Sequence, residues 1–334
     1  MLCFLVRNGR LEAREKPLPR LRPGWALVRV RLAGICNTDI ELLRGYHNFR
    51  GTPGHEFVGE IARVGERASK KISRWLGRRV VGEINIACAS LGQRAPCHSC
   101  RRGIPRHCLR RRVMGIVAHA GAFAEYLCLP LRNLHVVPAG VTDEQAVFTE
   151  PLAAACEILE QVRVREHREA AVLGDGKLAQ LIARVLRAAG LRVVMFGKHG
   201  DKLALARRAG VSTVRADSAR ETGRGNRQTY SLVVEATGSP SGFLRAPQLT
   251  SPRGTLVLKS TFHGAARVET WPIVVRELTL VGSRCGPFPR ALELLRSGRV
   301  DPRPLVARVF PLREAPAAIR YAQRPGVLKI LLKP

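Results

Sequence analysis

Acidic residues are scarce: 26 Asp and Glu stand against 56 Lys and Arg in a chain of 334, a formal net charge of +30. Aromatic residues make up only 5%, so the stacking platforms that single-stranded nucleic acid needs are few, and the basic residues are dispersed rather than gathered in runs. The charge excess reads as an arginine-biased, solvated surface that binds polyanions nonspecifically at low salt. A dedicated nucleic-acid-binding role is the alternative. No apolar run approaches the ~20 residues of a membrane helix. The run Leu2 to Val6 is short and has no basic region before it, which predicts a first strand rather than a signal peptide and a cytoplasmic protein. Nine cysteines, an odd number in a long chain, argue against a secreted disulfide framework and for reduced thiols that serve metals.

With 46% hydrophobic residues, 31 Gly and 21 Pro, the chain is globular and turn-rich, and its length predicts two domains. The first part alternates apolar and polar positions, as in Trp25-Ala26-Leu27-Val28-Arg29-Val30-Arg31-Leu32 after the turn at Pro23-Gly24, a β pattern. Residues 1–146 read as a β-rich domain, with a basic loop or short helix over Lys70–Arg79. Residues 147–284 then alternate strand and helix, the pattern of a doubly wound parallel sheet and an α/β fold, and 285–334 read as a tail returning to the first domain. Thr142 with Gln145 three residues on predicts a capped helix. A second helix opens at Thr149-Glu150-Pro151-Leu152, with the proline near its first position.

The chemistry concentrates in three places. Gly34-Ile35-Cys36-Asn37-Thr38-Asp39 precedes Gly54-His55-Glu56-Phe57-Val58-Gly59, and Cys36, His55 and Glu56 are S, N and O donors of the kind Zn²⁺ accepts while keeping a position open. Glu150 reads either as a carboxylate complementing a helix dipole or as a further metal ligand. Cys88, Cys97, Cys100 and Cys108, spaced C-x8-C-x2-C-x7-C, match a closed tetrahedral structural zinc site in a lobe over 88–108. Finally, the strand Ala170 to Leu173 runs into Gly174-Asp175-Gly176-Lys177-Leu178-Ala179 and an apolar-periodic helix. Here Gly174 allows the tight turn, Gly176 lets a pyrophosphate approach the backbone, and Ala179 permits close packing. At the end of the next strand, where a carboxylate would hold the ribose of NAD, stands Gly197, followed by Lys198, His199 and Lys202. An uncharged position flanked by cations predicts NADP over NAD.

Taken together these motifs resemble the zinc-dependent medium-chain alcohol dehydrogenases along almost the whole chain. Gly54-His55-Glu56, Gly59, Gly65 and Ala68 satisfy the family's zinc signature, and Val234-Glu235-Ala236-Thr237-Gly238 is also similar. The resemblance implies a GroES-like catalytic domain, a Rossmann domain and a homodimer or homotetramer. It implies a catalytic zinc held by Cys36, His55 and Glu150 with Glu56 as an exchangeable ligand, a relay hydroxyl on Thr38, and Thr237-Gly238 beside the cofactor. An alcohol, polyol or sugar, or the matching carbonyl, is the implied substrate, and the acidic Glu150 looks more like the polyol and sugar branches. Two departures bear on the site: six extra residues within Ala89–Pro96 bulge from the cysteine lobe, and Glu41 stands where many members carry a relay histidine.

Overall fold

The computed structural model describes residues 1–65, 73–216, 229–261 and 265–334. Ala68 of the zinc signature and the first part of the Lys70–Arg79 segment lie outside the described residues. The chain divides into two compact units, Met1–Glu150 with Ala291–Pro334, and Pro151–Arg290.

In the first unit the strand Trp25–Gly34 buries Val28, Val30 and Leu32 and exposes Arg29 and Arg31, the two-residue period of a half-buried strand. It pairs antiparallel with Glu56–Val64 and with Tyr126–Pro130, and Glu56–Val64 pairs in turn with Arg79–Gly82. The tail closes the sheet. Lys329–Lys333 pairs antiparallel with the far end of Trp25–Gly34, placing Leu331 opposite Gly34, and Val306–Pro311 runs parallel to it. Neither Val306–Pro311 nor the helix Ala315–Ala322 was legible in the sequence as a separate element. The capping box is present: Gln145 N–H donates to Thr142 Oγ1 at 3.3 Å, and Thr142 N–H to Gln145 Oε1 at 3.0 Å. Beside it, Asp143 accepts from Arg31 at 2.6 Å and Arg79 at 2.8 Å, tying that helix to two strands.

The second unit is a six-stranded parallel sheet. Its spatial order is Ser212–Arg215, Arg192–Gly197, Glu169–Leu173, Tyr230–Glu235, Thr250–Leu258, Thr279–Gly282, the 3-2-1-4-5-6 order of a dinucleotide-binding sheet. The helix Lys177–Ala188 follows the first of these strands in sequence and buries Leu181, Ile182, Val185 and Leu186. Ala171, Leu173, Val233 and Leu256 fill the core beside the central strands. Among the described residues no helix is long and apolar enough to cross a membrane.

Candidate active site and cofactor-binding elements

Cys36 follows the strand Trp25–Gly34 and caps the helix Asn37–Leu43, while Glu56 begins the neighbouring strand and His55 immediately precedes it. The antiparallel pairing sets Gly34 opposite Glu56, which brings the two motifs together. Gly54 holds a φ of +95°, and a Cβ there would fall on the Phe123 ring, so only glycine presents His55 in this way. Gly34 is equally constrained, because a Cβ would land on the Glu56 carboxylate. The Cys36 sulfur, a His55 ring nitrogen and a Glu56 oxygen consequently lie within 4.8 Å of one another. Glu150, second residue of the helix Thr149–Gln161, stands outside that set.

Asp39 organises the trio from behind. Its buried carboxylate accepts the N–H of Cys36 at 2.8 Å and of Gly54 at 3.1 Å. It also stands 3.4 Å from His55 Nδ1, an electrostatic neighbour rather than a well-formed acceptor. A buried ring nitrogen lacking a good hydrogen bond, next to a half-buried thiol, suits a metal ion, whose ligation would satisfy the imidazole. Burial works against charge on His55, yet Asp39 and Cys36 outweigh it and hold the imidazole well above its ordinary range. The Thr38 hydroxyl lies 3.8 Å from the Cys36 sulfur, and Glu41 is paired with Arg44 at 2.9 Å.

Glu56 has a second partner. Its carboxylate forms an ion pair with Lys329, with both side chains 2% exposed or less. Lys329 Nζ also lies 3.4 Å from the Ile35 carbonyl and 5.5 Å from the Phe148 ring centre. Burial opposes its charge, but Glu56 and Cys36 prevail and raise it above the usual lysine range. A cation thus already neutralises the carboxylate nearest the two other donors.

The four lobe cysteines also converge, all within 4.8 Å of one another. The Cys108 sulfur is 3.4 Å from that of Cys88 and 3.7 Å from that of Cys97. A tetrahedral zinc with Zn–S of about 2.3 Å places its sulfurs roughly 3.8 Å apart, whereas a disulfide needs about 2.05 Å, so these are metal-type spacings. Hydrogen bonds, foremost the backbone N–H of Cys100, draw the Cys97 thiol down to about 6, while burial pushes Cys100 up to about 12. The six extra residues do not scatter the ligands. Cys88–Ser90 forms a turn of 3₁₀ helix, the chain bends out, and Cys97 returns as the cap of His98–Arg101.

In the second unit the fingerprint sits at the carboxyl ends of the central strands. Leu173 pairs with Phe196 on one side and Glu235 on the other. Gly174, at φ +109°, donates to the Phe196 carbonyl at 2.8 Å, and a Cβ on it would strike the Ala236 carbonyl. Gly176 caps the helix that opens with Lys177 and Leu178, and a Cβ there would meet nothing within 4 Å. The helix N-terminus is therefore open for an anion. Buried Glu235 accepts from the Thr237 N–H at 2.7 Å and the Ser260 hydroxyl at 2.5 Å, and Ser260 accepts the Gly238 N–H at 2.9 Å. Gly197, Lys198 and His199 continue from the adjacent strand end.

Residues 22–139 match the alcohol dehydrogenase GroES-like domain, and residues 178–297 the zinc-binding dehydrogenase domain. D-altritol 5-dehydrogenase of Agrobacterium fabrum is 32% identical over 97% of this chain and 97% of its own. The chain belongs to the zinc-dependent medium-chain alcohol dehydrogenase family. D-arabinitol dehydrogenase 1 of Uromyces fabae is 30% identical over 95% of this chain and 92% of its own. Among solved structures, an alcohol dehydrogenase of Escherichia coli CFT073 in complex with NADH is 27% identical with a TM-score of 0.91. It matches over 100% of this chain and 99% of that one. A Sinorhizobium meliloti 1021 protein described as a zinc-binding dehydrogenase and bound to NADP is also 27% identical, with a TM-score of 0.89 and the same coverage. As a member of the medium-chain alcohol dehydrogenases, the chain is an NAD(P)-dependent oxidoreductase acting on CH–OH groups, with zinc as its metal. The nucleic-acid alternative finds no support in these likenesses. For this dehydrogenase, Asp39 and Lys329 are the site residues that motif reading passed over. The one signal for Lys329 was a lone cation inside the apolar run Val327-Leu328-Lys329-Ile330-Leu331-Leu332.

Proposed function

We propose that the protein oxidises a secondary hydroxyl of a polyol or sugar, or reduces the matching carbonyl, with NADP favoured over NAD. The convergence of Cys36, His55 and Glu56 within 4.8 Å carries this reading, and the polyol dehydrogenases among the relatives support the substrate class. Cys36 and His55 would hold the catalytic zinc, with Glu56 and Glu150 as the carboxylates available to complete or exchange its coordination. The four lobe cysteines would hold a structural one. When bound, the zinc supplies Lewis-acid polarisation of the substrate oxygen and the dinucleotide supplies the hydride acceptor. Asp39 fixes the backbone at Cys36 and at Gly54 through two hydrogen bonds and sets its negative charge beside the His55 imidazole. Thr38 Oγ1, next to the Cys36 sulfur, accepts the substrate's hydroxyl proton while releasing its own to water. Lys329 holds Glu56 as a carboxylate in reserve.

Gly197 with Lys198 and His199 after it supports the NADP preference. A homodimer is supported by the strand Thr279–Gly282, which ends the six-stranded order and pairs only with Thr250–Leu258 among the described residues. Beside it Trp271, Val274 and Val275 are 60–72% exposed, and Leu280 is 40% exposed. An open strand edge with apolar cover is a template for a second copy. Nine cysteines, an odd number in a long chain, support the reducing environment of the cytoplasm. A panel of alcohols, polyols and sugars, run with both cofactors, tests the reading. Turnover confined to secondary hydroxyls of polyols or sugars is expected, and a zinc-loaded protein that turns over none of the panel contradicts it.

A further inference from the structure

Asp175 is the residue between the two glycines of the phosphate-binding turn, and nothing about pyrophosphate binding requires a carboxylate there. The structure gives it a different task. Its side chain crosses to the end of the neighbouring strand, where Oδ2 accepts the backbone N–H of Lys198 at 2.7 Å and of His199 at 2.8 Å. The His199 ring nitrogen Nδ1 lies 2.9 Å from the same oxygen and 3.1 Å from Oδ1. The residue is only 7% exposed, so its charge is spent inward on three donors. Burial opposes its ionisation, but the hydrogen bonds from His199 and Lys198 overcome that and hold the carboxyl below its ordinary range.

The same carboxylate fills the space beside Gly197. A Cβ built at position 197 would lie 2.7 Å from both the Cβ and Oδ2 of Asp175 and 2.8 Å from Leu203 Cδ2, closer than side chains approach. A ribose-binding Asp or Glu at 197 and the inward-turned Asp175 are mutually exclusive. What remains on the surface of this turn is basic. Lys198 and His199 are exposed, and the Arg215 guanidinium from the next strand reaches to 3.9 Å of where a Gly200 Cβ would stand.

We infer that Asp175 selects the cofactor: it bars a ribose-binding carboxylate from position 197 and pins the Lys198–His199 turn so that the Lys198 ammonium and the His199 ring face an adenosine 2′-phosphate. Asp175 is a positioning residue, acting through Lys198 and His199, and the inference rests on the NADP reading above. Calorimetric titration of the purified holoenzyme with 2′,5′-ADP and with 5′-AMP tests it without turnover. The wild-type protein binds 2′,5′-ADP at least about tenfold tighter than 5′-AMP. Asp175→Asn keeps an acceptor for the two backbone donors but loses the imidazole's anionic partner, and narrows that ratio by about tenfold, ~1.4 kcal/mol. Gly197→Asp alone lowers the melting temperature, and combining it with Asp175→Gly restores stability and turns the preference toward 5′-AMP. A wild-type ratio near one contradicts the NADP reading itself. A high wild-type ratio that Asp175→Asn leaves in place, or a loss shared equally by both probes, contradicts the inference alone, as does a Gly197→Asp variant that melts like wild type.

Discussion

Lys329→Met isolates the ion pair behind the metal-type donors. The lysine and Glu56 are both buried, so removing the cation leaves a carboxylate with no countercharge in a medium that solvates it poorly. Breaking a buried pair from one side costs about 3–5 kcal/mol. In a folding unit of this size each kcal/mol lowers the melting temperature by roughly 2–4 °C, so the metal-depleted variant should melt about 10 °C below metal-depleted wild type. Zinc should then recover most of the deficit, because a divalent ion beside Cys36 and His55 supplies the charge that Glu56 has lost. Pairing Lys329→Met with Glu56→Gln removes both charges and should also recover most of it. The assay is thermal unfolding followed by circular dichroism, run on the four proteins of the cycle with chelator and with added zinc. A metal-depleted Lys329→Met protein melting within about 2 °C of wild type, or a deficit that zinc leaves untouched, refutes the reasoning.

Other perturbations separate the parts of the site. Thr38→Val should lower kcat about 10²-fold or more while zinc content stays at the wild-type value, since it removes a proton acceptor and no metal donor; unchanged kcat in stopped-flow and steady-state assays would remove Thr38 from the proton path. Cys108→Ser should lose one zinc per chain by elemental analysis and unfold at lower temperature, because its sulfur is within 3.7 Å of both Cys88 and Cys97; full zinc content would argue against the four-thiolate site. Leu280→Lys, on the open strand edge, should shift the mass measured by light scattering from dimer to monomer, and an unchanged mass would place the interface elsewhere.

How much of this was legible depends on how local each feature is. The phosphate-binding turn could be read because strand, glycines and helix are contiguous, and the capping box because Thr142 and Gln145 are one turn apart. The cysteine lobe could be read from its spacing. Its one irregularity, the six extra residues, is accommodated because Cys88 and Cys97 each sit at a short helical turn that aims them inward. Lys329 could not be read, since it reaches Glu56 only through the pairing of the last strand with Trp25–Gly34, a contact spanning most of the chain. Asp175 is the intermediate case. The missing acid at Gly197 shows in the sequence, but that Asp175 occupies its space depends on the parallel register of Leu173 with Phe196. Position 150 was legible only through its place in the motif order, and Glu150 lies outside the trio of Cys36, His55 and Glu56 that the structure gathers.

The central claim is that Cys36 and His55 grip an ion on which turnover depends, and zinc content measured alongside activity in wild type and Cys36→Ser tests it most directly. Two zinc per wild-type chain are expected, with one retained and turnover abolished in Cys36→Ser. An active wild-type protein free of zinc, or a Cys36→Ser variant that keeps both zinc and activity, would contradict the account.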